Sequence, residues 1–529
     1  MFDWLISNAM ILDGSGAPAF SGDVALAGGS IAAVGKLTDR EACHVLDAHG
    51  KTLTPGFIDI HRHGDAALFR PNYGKAELKQ GLTTVLNGNC GLSAAPVCGS
   101  HAPEILRYLS PITGAMPDGR EFFSLADYVR QASEVPLLLN VGMLVGAGVL
   151  RADVAGYADA PLDSAQLHAL HHLLEQALSD GAMGVSLGLG YAPEGFYTAK
   201  QLLAALSPLK NSGTVVTVHM RQEGDGVVDA LREMITVARA LQTPVEISHL
   251  KAIGKRNWRA AVPEMLRLID EARADGVDVR CDVYPYTAGS TQLIHVLPPE
   301  MQAGGLAALT ARLQNPADRA RMRRRMESGT DFENITLLSG FENVLAGSLH
   351  QMENREYEGK SIAEIAHLQG KDPYDALFDL LASEGCTVSM IDFIAAEEDI
   401  AQILRAPFSS VISDATYPTD GQLHPRVYGM TSHLLERFVR ESGVLSLPEA
   451  VNRLTRRPAE LFGLAKKGRI EVGADADLCL FDPAAIHEAG TYADPRQYAE
   501  GMDAVFVGGA PAIRDGAFTG LANGSYLKR

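Results

Sequence analysis

From about residue 55 onward, short apolar runs that end in polar residues alternate with longer stretches of helical periodicity, and this alternation most restricts the fold. Candidate strands are TPGFIDI, GLTTVLNG, LLLNVGML, GAMGVSLG, TVVTVHM, PVEISHL, VDVRCDVYP and SSVISD. Helical patterns such as SAQLHALHHLLEQALSDG and VPEMLRLIDEARADG lie between them. Strands separated by helices pair in parallel, and this number of units predicts a closed (β/α)8 barrel of the TIM type rather than an open sheet. The interval from about Thr291 to Pro407 is too long for one connection between barrel elements. It reads as an inserted region, about 291–407, before the last barrel strand, with KSIAEIAHLQG and DPYDALFDLLASEG as helices.

Both ends have a different texture. WLISNAMIL and DVALAGGSIAAVG near the start, and GRIEVGADADLCLFD and DAVFVGGAPAI near the finish, are short β-rich runs between Gly and Asp punctuation. Chain termini often lie close together, so the expected organisation is a small β-sandwich domain from residues 1–54 and 467–529 around a barrel of residues 55–466. A length of 529 residues suits that pairing.

Composition narrows the function. A net charge of -18 repels phosphate backbones, so no nucleic-acid partner is expected, and Arg319 to Arg325 reads as a solvated helix face. The six cysteines form no CxxC pair or tight framework, which suits a reducing compartment. Asp3 stands where a secretory signal carries Lys or Arg, and no apolar run reaches the length of about 20 residues that spans a bilayer. A soluble cytoplasmic protein without a membrane partner is expected. Assembly as a homo-oligomer is compatible with the sequence.

The chemistry lies in where metal-binding residues fall along the strands. His61 and His63 follow TPGFIDI, Cys90 follows TVLNGN, His219 follows TVVTV, His249 follows VEIS and Asp414 follows SVIS. All six stand at C-terminal strand ends, the catalytic face of a (β/α)8 barrel, and the i, i+2 spacing of His61 and His63 aims both imidazoles the same way. A single histidine after a strand is more often a hydrogen-bonded structural residue, and a lone buried cysteine is usually an inert small hydrophobe. Their joint placement changes that weighing, whereas His168, His171 and His172 lie in a helical pattern and are set aside. Thiolate with imidazole favours zinc over magnesium or calcium. Asp414 is the expected general base, accepting a proton from water and passing it to the leaving nitrogen; its alternatives are metal ligand and helix N-cap.

LTPGFIDIHRHGD resembles the opening metal motif of the amidohydrolase superfamily. GLTTVLNGNCGLSAAP resembles the Cys-containing second motif of its N-acyl-D-amino-acid deacylases (D-aminoacylases), and the likeness continues through GAMGVSLGLGYAPEGFYT, VEISHLKAIG, VYPYTAGST and SDATYPTDGQLHPRVYG. The resemblance implies one tightly held zinc on Cys90, His219 and His249, and a second, weaker position from His61, His63 and Asp414. It also implies a clamp for the substrate carboxylate from Tyr191, Lys251, Tyr284 and Arg426. Hydantoinase-like relatives carry a carboxylated lysine at the end of the fourth strand; SLGLGY has none, which disfavours that branch. Ala147 stands where a histidine is expected in many relatives.

The implied reaction is hydrolysis of the amide bond of an N-acyl-D-amino acid. Members that prefer acidic side chains are expected to carry an arginine after YPYTAGST; QLIHVLPPE offers only His295, so apolar or uncharged D-residues are expected to be preferred. Two other readings stay open: an amidohydrolase acting on another amide, a cyclic amide or a D-residue dipeptide, and a non-catalytic scaffold.

Overall fold

In a computed structural model that describes residues 1–37 and 41–529, parallel strands close a barrel. They are β1 (Phe57–Asp59), β2 (Leu82–Asn87), β3 (Asn140–Met143), β4 (Val185–Gly188), β5 (Val216–His219), β6 (Val245–Ile247), β7 (Val279–Val283) and β8 (Ser409–Val411). Pairing runs β1 to β2 to β3, and Val145–Gly146 carries the sheet on to β4 and thence in order to β8. Nearly every strand residue is buried, as both faces of a parallel barrel sheet require, and this is why the strands read as apolar runs. Outside them, Val227–Leu241 turns Val227, Leu231, Met234, Ala238 and Leu241 inward at helical spacing. Ser164–Ser179 starts from a capping box between Asp163 and Gln166.

Closure between β8 and β1 lies at the level of the histidine pair. Asp414 N donates to His61 O at 2.9 Å and His63 N donates to Ala415 O at 2.9 Å. Beneath this seam Asp59 accepts from Ser413 Oγ at 2.5 Å and from Arg62 Nη1 at 3.0 Å. Arg62 points away from its two histidine neighbours and also donates to Glu77 Oε1 at 2.7 Å. Arg62 and Asp59 are fully buried. A charge network of this kind positions its surroundings more than it adds net stability, but removing one member strands the others.

Through Leu309, Leu313, Met322, Ile365, Phe378 and Met390 the insertion shares one apolar core with Ile105, Leu109, Val149 and Tyr191 of the barrel's loops and helices. Its helices, among them Gly305–Gln314, Pro316–Ser328, Ile362–Gln369 and Pro373–Ser383, pack around a three-stranded antiparallel sheet of Ala288–Gln292, Ser389–Phe393 and Val344–Ala346. The expected limits of 291–407 shift for a physical reason. Ala288 pairs with Phe393, so both ends of the insertion are zipped together in that sheet. Helix Glu397–Arg405 packs against β8 and helix Ala261–Ala274 and belongs to the barrel.

Segments from both termini form one nine-stranded sheet joined at Thr52–Pro55, which pairs with Leu478–Phe481 on one side and Phe2–Ile11 on the other. Trp4, Ile6, Val24 and Leu26 share one apolar core with Leu478, Leu480, Ala504 and Phe506. The sandwich-like interior is therefore enclosed by two parts of a continuous sheet. The tail, grouped with this domain in the sequence reading, leaves it at about residue 524: Tyr526 bridges to Val141 of β3, and Arg529 Nη2 donates to Ser212 O at 3.0 Å.

Replacing Arg62 by Leu leaves Asp59 and Glu77 without their shared cation. The variant is expected to lose about 3–5 kcal/mol of stability, read as a lowered denaturation midpoint. An unchanged midpoint would show that the seam does not depend on the guanidinium.

Candidate metal centre and active site

The six predicted groups meet at the C-terminal mouth of the barrel, and all are buried. Three stand in left-handed backbone conformations: Cys90 with φ 55°, His249 with φ 38° and Asp414 with φ 52°. Such positions cost of order 1–3 kcal/mol each for a residue with a Cβ and persist only where the surroundings hold them. Here they are held. Asp414 is tied to β1 through His61 O, and His249 N donates to the Asp282 carboxylate at the end of β7. The Cys90 loop lies against β4, where a Cβ on Gly188 would fall 2.1 Å from Cys90 O, so the glycine of SLGLGY is what lets the cysteine approach.

His219 Nδ1 and His249 Nε2 are 3.1 Å apart, and Cys90 Sγ is 3.5 Å from that same His249 nitrogen. A tetrahedral zinc with bonds of about 2.0 Å to nitrogen and 2.3 Å to sulfur has ligand-to-ligand edges of roughly 3.3–3.6 Å. The two separations lie close to those edges, and all three atoms fall within 4.8 Å of one another. A second set shares the cysteine: His61 Nε2 is 3.2 Å from Cys90 Sγ and 3.3 Å from Asp414 Oδ1, and His63 Nε2 is 3.3 Å from the same oxygen. The predicted ligands thus divide into two overlapping groups with Cys90 common to both. A further triplet of His219, His295 and Glu333 is close enough to be considered, but both Glu333 oxygens are taken, by His295 Nε2 at 3.0 Å and Glu223 N at 2.6 Å.

The electrostatics suit a cation. Burial lowers the pKa of His63, and drives those of His219 and His249 well below the ordinary histidine value, so these rings stay neutral with lone pairs available. Burial pushes the Cys90 thiol up to about 11, so thiolate formation there calls for an opposing positive charge. For Asp414 burial acts upward, but Arg426, with His61 and His63, holds its carboxyl well below the usual range.

Residues behind the ligands escaped the sequence reading. Glu223 Oε1 lies 2.9 Å from His249 Nδ1, the carboxylate–histidine arrangement that fixes a ligating ring, and Glu223 Oε2 accepts from Lys251 Nζ at 2.6 Å. Glu223 lies four residues beyond His219 in a loop, with no strand-end signal to expose it. Asp282 was equally hidden inside VRCDVYP.

The expected substrate residues are not all alike in placement. Lys251, Tyr284 and Tyr191 line the cleft in front of the ligands. Tyr191 packs on His219 with ring centroids 4.6 Å apart, and its hydroxyl is 2.7 Å from Thr291 Oγ1. Arg426 is fully buried behind this wall, 4.7 Å over the Tyr284 ring, with Nη2 3.0 Å from Asp414 Oδ2. Its Nε and Nη1 have no partner among the described residues. Ala147 is buried at the start of helix Ala147–Ala155.

A model of the amidohydrolase family matches residues 44–513. The D-aminoacylase of Alcaligenes xylosoxydans xylosoxydans is 33% identical over 528 residues, covering 100% of this chain and 98% of that protein. The N-acyl-D-aspartate deacylase of the same organism is also 33% identical, over 98% of this chain and 93% of its own. Among solved structures, an N-acyl-D-glutamate deacylase from Bordetella bronchiseptica, complexed with zinc and a phosphonate inhibitor that mimics the tetrahedral intermediate, superposes with a TM-score of 0.85 at 30% identity over 100% of both chains. An L-hydantoinase from Arthrobacter aurescens, at 15% identity and TM-score 0.58, shares the fold alone. With the matched family spanning most of the chain and these full-length likenesses, the protein belongs to the amidohydrolase family, in its N-acyl-D-amino-acid deacylase branch.

Proposed function

We propose that this protein is a zinc-dependent hydrolase that splits the amide bond of N-acyl-D-amino acids into a carboxylate and a free D-amino acid. The observation that carries this reading is the trio of Cys90 Sγ, His219 Nδ1 and His249 Nε2, spaced as a zinc site in a chain related over its whole length to such deacylases. Zinc held there supplies a Lewis acid for the substrate carbonyl and lowers the pKa of water to about 7. His61, His63 and Asp414 offer the second, weaker place.

Asp414 handles the proton. Its oxygens stand at the mouth of the barrel, positioned by Arg426 and the histidine pair. It takes a proton from the attacking water as the carbon–oxygen bond forms and returns it to the amide nitrogen as the carbon–nitrogen bond breaks. Lys251 and Tyr284, with Tyr191, present donors at the cleft for the substrate carboxylate, and the two unpaired donors of Arg426 lie behind Tyr284. Burial opposes the Lys251 charge, but Glu223 beside it raises the ammonium pKa and keeps it protonated.

Uncharged side chains, apolar ones included, are preferred over D-Glu and D-Asp. Ile112, Ile253, Ile335 and Ile394 line the cleft together with the carboxylates Glu333 and Asp392, and no arginine among the described residues lines it. His295, the one cationic candidate foreseen there, is spent on Glu333 at 3.0 Å. The related N-acyl-D-aspartate and N-acyl-D-glutamate deacylases, at 33% and 31% identity, are nearly as similar as the D-aminoacylase at 33%, so this preference rests on the cleft itself.

An enantiomer panel tests the reaction: amine release from N-acetyl-D-Met and not from the L-form is expected, with kcat/KM for N-acetyl-D-Met exceeding that for N-acetyl-D-Glu. Hydrolysis of neither enantiomer contradicts the deacylase assignment, and a preference for D-Glu contradicts the side-chain assignment. Asp414→Asn is expected to keep the tight zinc and lose roughly 10²–10⁴-fold in turnover, whereas Cys90→Ala loses zinc as measured by metal analysis. Normal turnover by the Asp414 variant would remove it as the proton carrier.

A further inference from the structure

Among the described residues, Asp392 stands in the cleft with a buried carboxylate oxygen that has no hydrogen-bond partner. It lies on Ser389–Phe393 of the inserted sheet, is 2% exposed, and lines the same cleft as Cys90 and Asp414. Its Oδ1 has no hydrogen-bond partner among the described residues. The other cleft carboxylates are engaged: Glu333 by His295 and Glu223 N, Glu223 by His249 and Lys251, and Asp414 by Arg426. A buried acceptor without a donor is costly to keep, and burial pushes this carboxyl up to about 6.

A glycine lets this carboxylate sit close against the neighbouring strand. Gly289 pairs with Asp392 across the sheet, and a Cβ there would lie 2.8 Å from Asp392 Oδ1 and 3.3 Å from Tyr284 OH. Asp392 lines the cleft together with Tyr284, proposed above for the substrate carboxylate, so a substrate group that reaches Asp392 belongs to the same bound molecule.

Resting on the deacylase reading, we infer that Asp392 reads the substrate's side chain, accepting a hydrogen bond from N-acyl-D-amino acids whose side chain ends in a neutral donor such as the primary amide of D-Gln. Charge selects the neutral class. A side-chain carboxylate meets Asp392 and Glu333, whereas a neutral donor meets Asp392 without bringing a further charge to bury. A site built around a buried polar group penalises a ligand that leaves it unpaired, so an apolar isostere is turned over more slowly.

The test compares N-acetyl-D-Gln with N-acetyl-D-Met, which are of similar length, on the zinc-loaded protein and on Asp392→Asn and Asp392→Leu. Wild-type protein is expected to favour D-Gln over D-Met in kcat/KM by about tenfold or more. That ratio is expected to fall at least tenfold in Asp392→Leu and by less in Asp392→Asn, which keeps an acceptor oxygen. A wild-type ratio of one or below overturns the inference even if the leucine variant does not fold, and so does a ratio that both variants leave unchanged. In either case hydrolysis of D-Met leaves the deacylase reading standing; hydrolysis of neither substrate removes both.

Discussion

A thiol and two imidazole nitrogens are buried within 4.8 Å of one another at the head of a cleft, and the rest of the molecule is arranged to keep them there. Burial keeps both rings neutral and the thiol protonated, so the trio has lone pairs and little charge. Only a cation satisfies all three at once. Glu223 behind His249 fixes which nitrogen faces the centre, and Lys251 in turn balances Glu223. The candidate metal ligand His249 and the proposed substrate residue Lys251 therefore share the carboxylate of Glu223.

Holding the ligands costs backbone strain, and the barrel absorbs it. Cys90, His249 and Asp414 all adopt conformations that L-residues disfavour, each just past a strand. The seam between β8 and β1 is crossed by backbone hydrogen bonds and by Ser413 on Asp59, and Arg62 holds Asp59 from the same segment, so one short stretch supplies two candidate metal-binding histidines and, through Arg62 on the other face, a buried ion pair. In a strand successive side chains alternate faces, and this segment uses both.

The barrel and its candidate ligands were legible because a buried parallel strand needs an apolar run and a polar residue at its end interrupts that run. His61, His63, Cys90, His219, His249 and Asp414 all carried this mark. Glu223, Asp282 and Asp392 did not, because they work through contacts between distant elements that leave no periodic trace. The insertion was visible as an overlong interval, but its limits depend on Ala288 pairing with Phe393, which only the folded chain displays. Arg426 was foreseen as a guanidinium for a carboxylate; in the structure the carboxylate it holds is Asp414.

The account stands on a cysteine as a ligand to zinc, and X-ray absorption at the zinc edge of the purified, metal-loaded protein examines that bond directly. One sulfur at about 2.3 Å, accompanied by nitrogen or oxygen ligands at about 2.0 Å, is the expected spectrum. A coordination shell of nitrogen and oxygen alone would contradict it and leave Cys90 without its role.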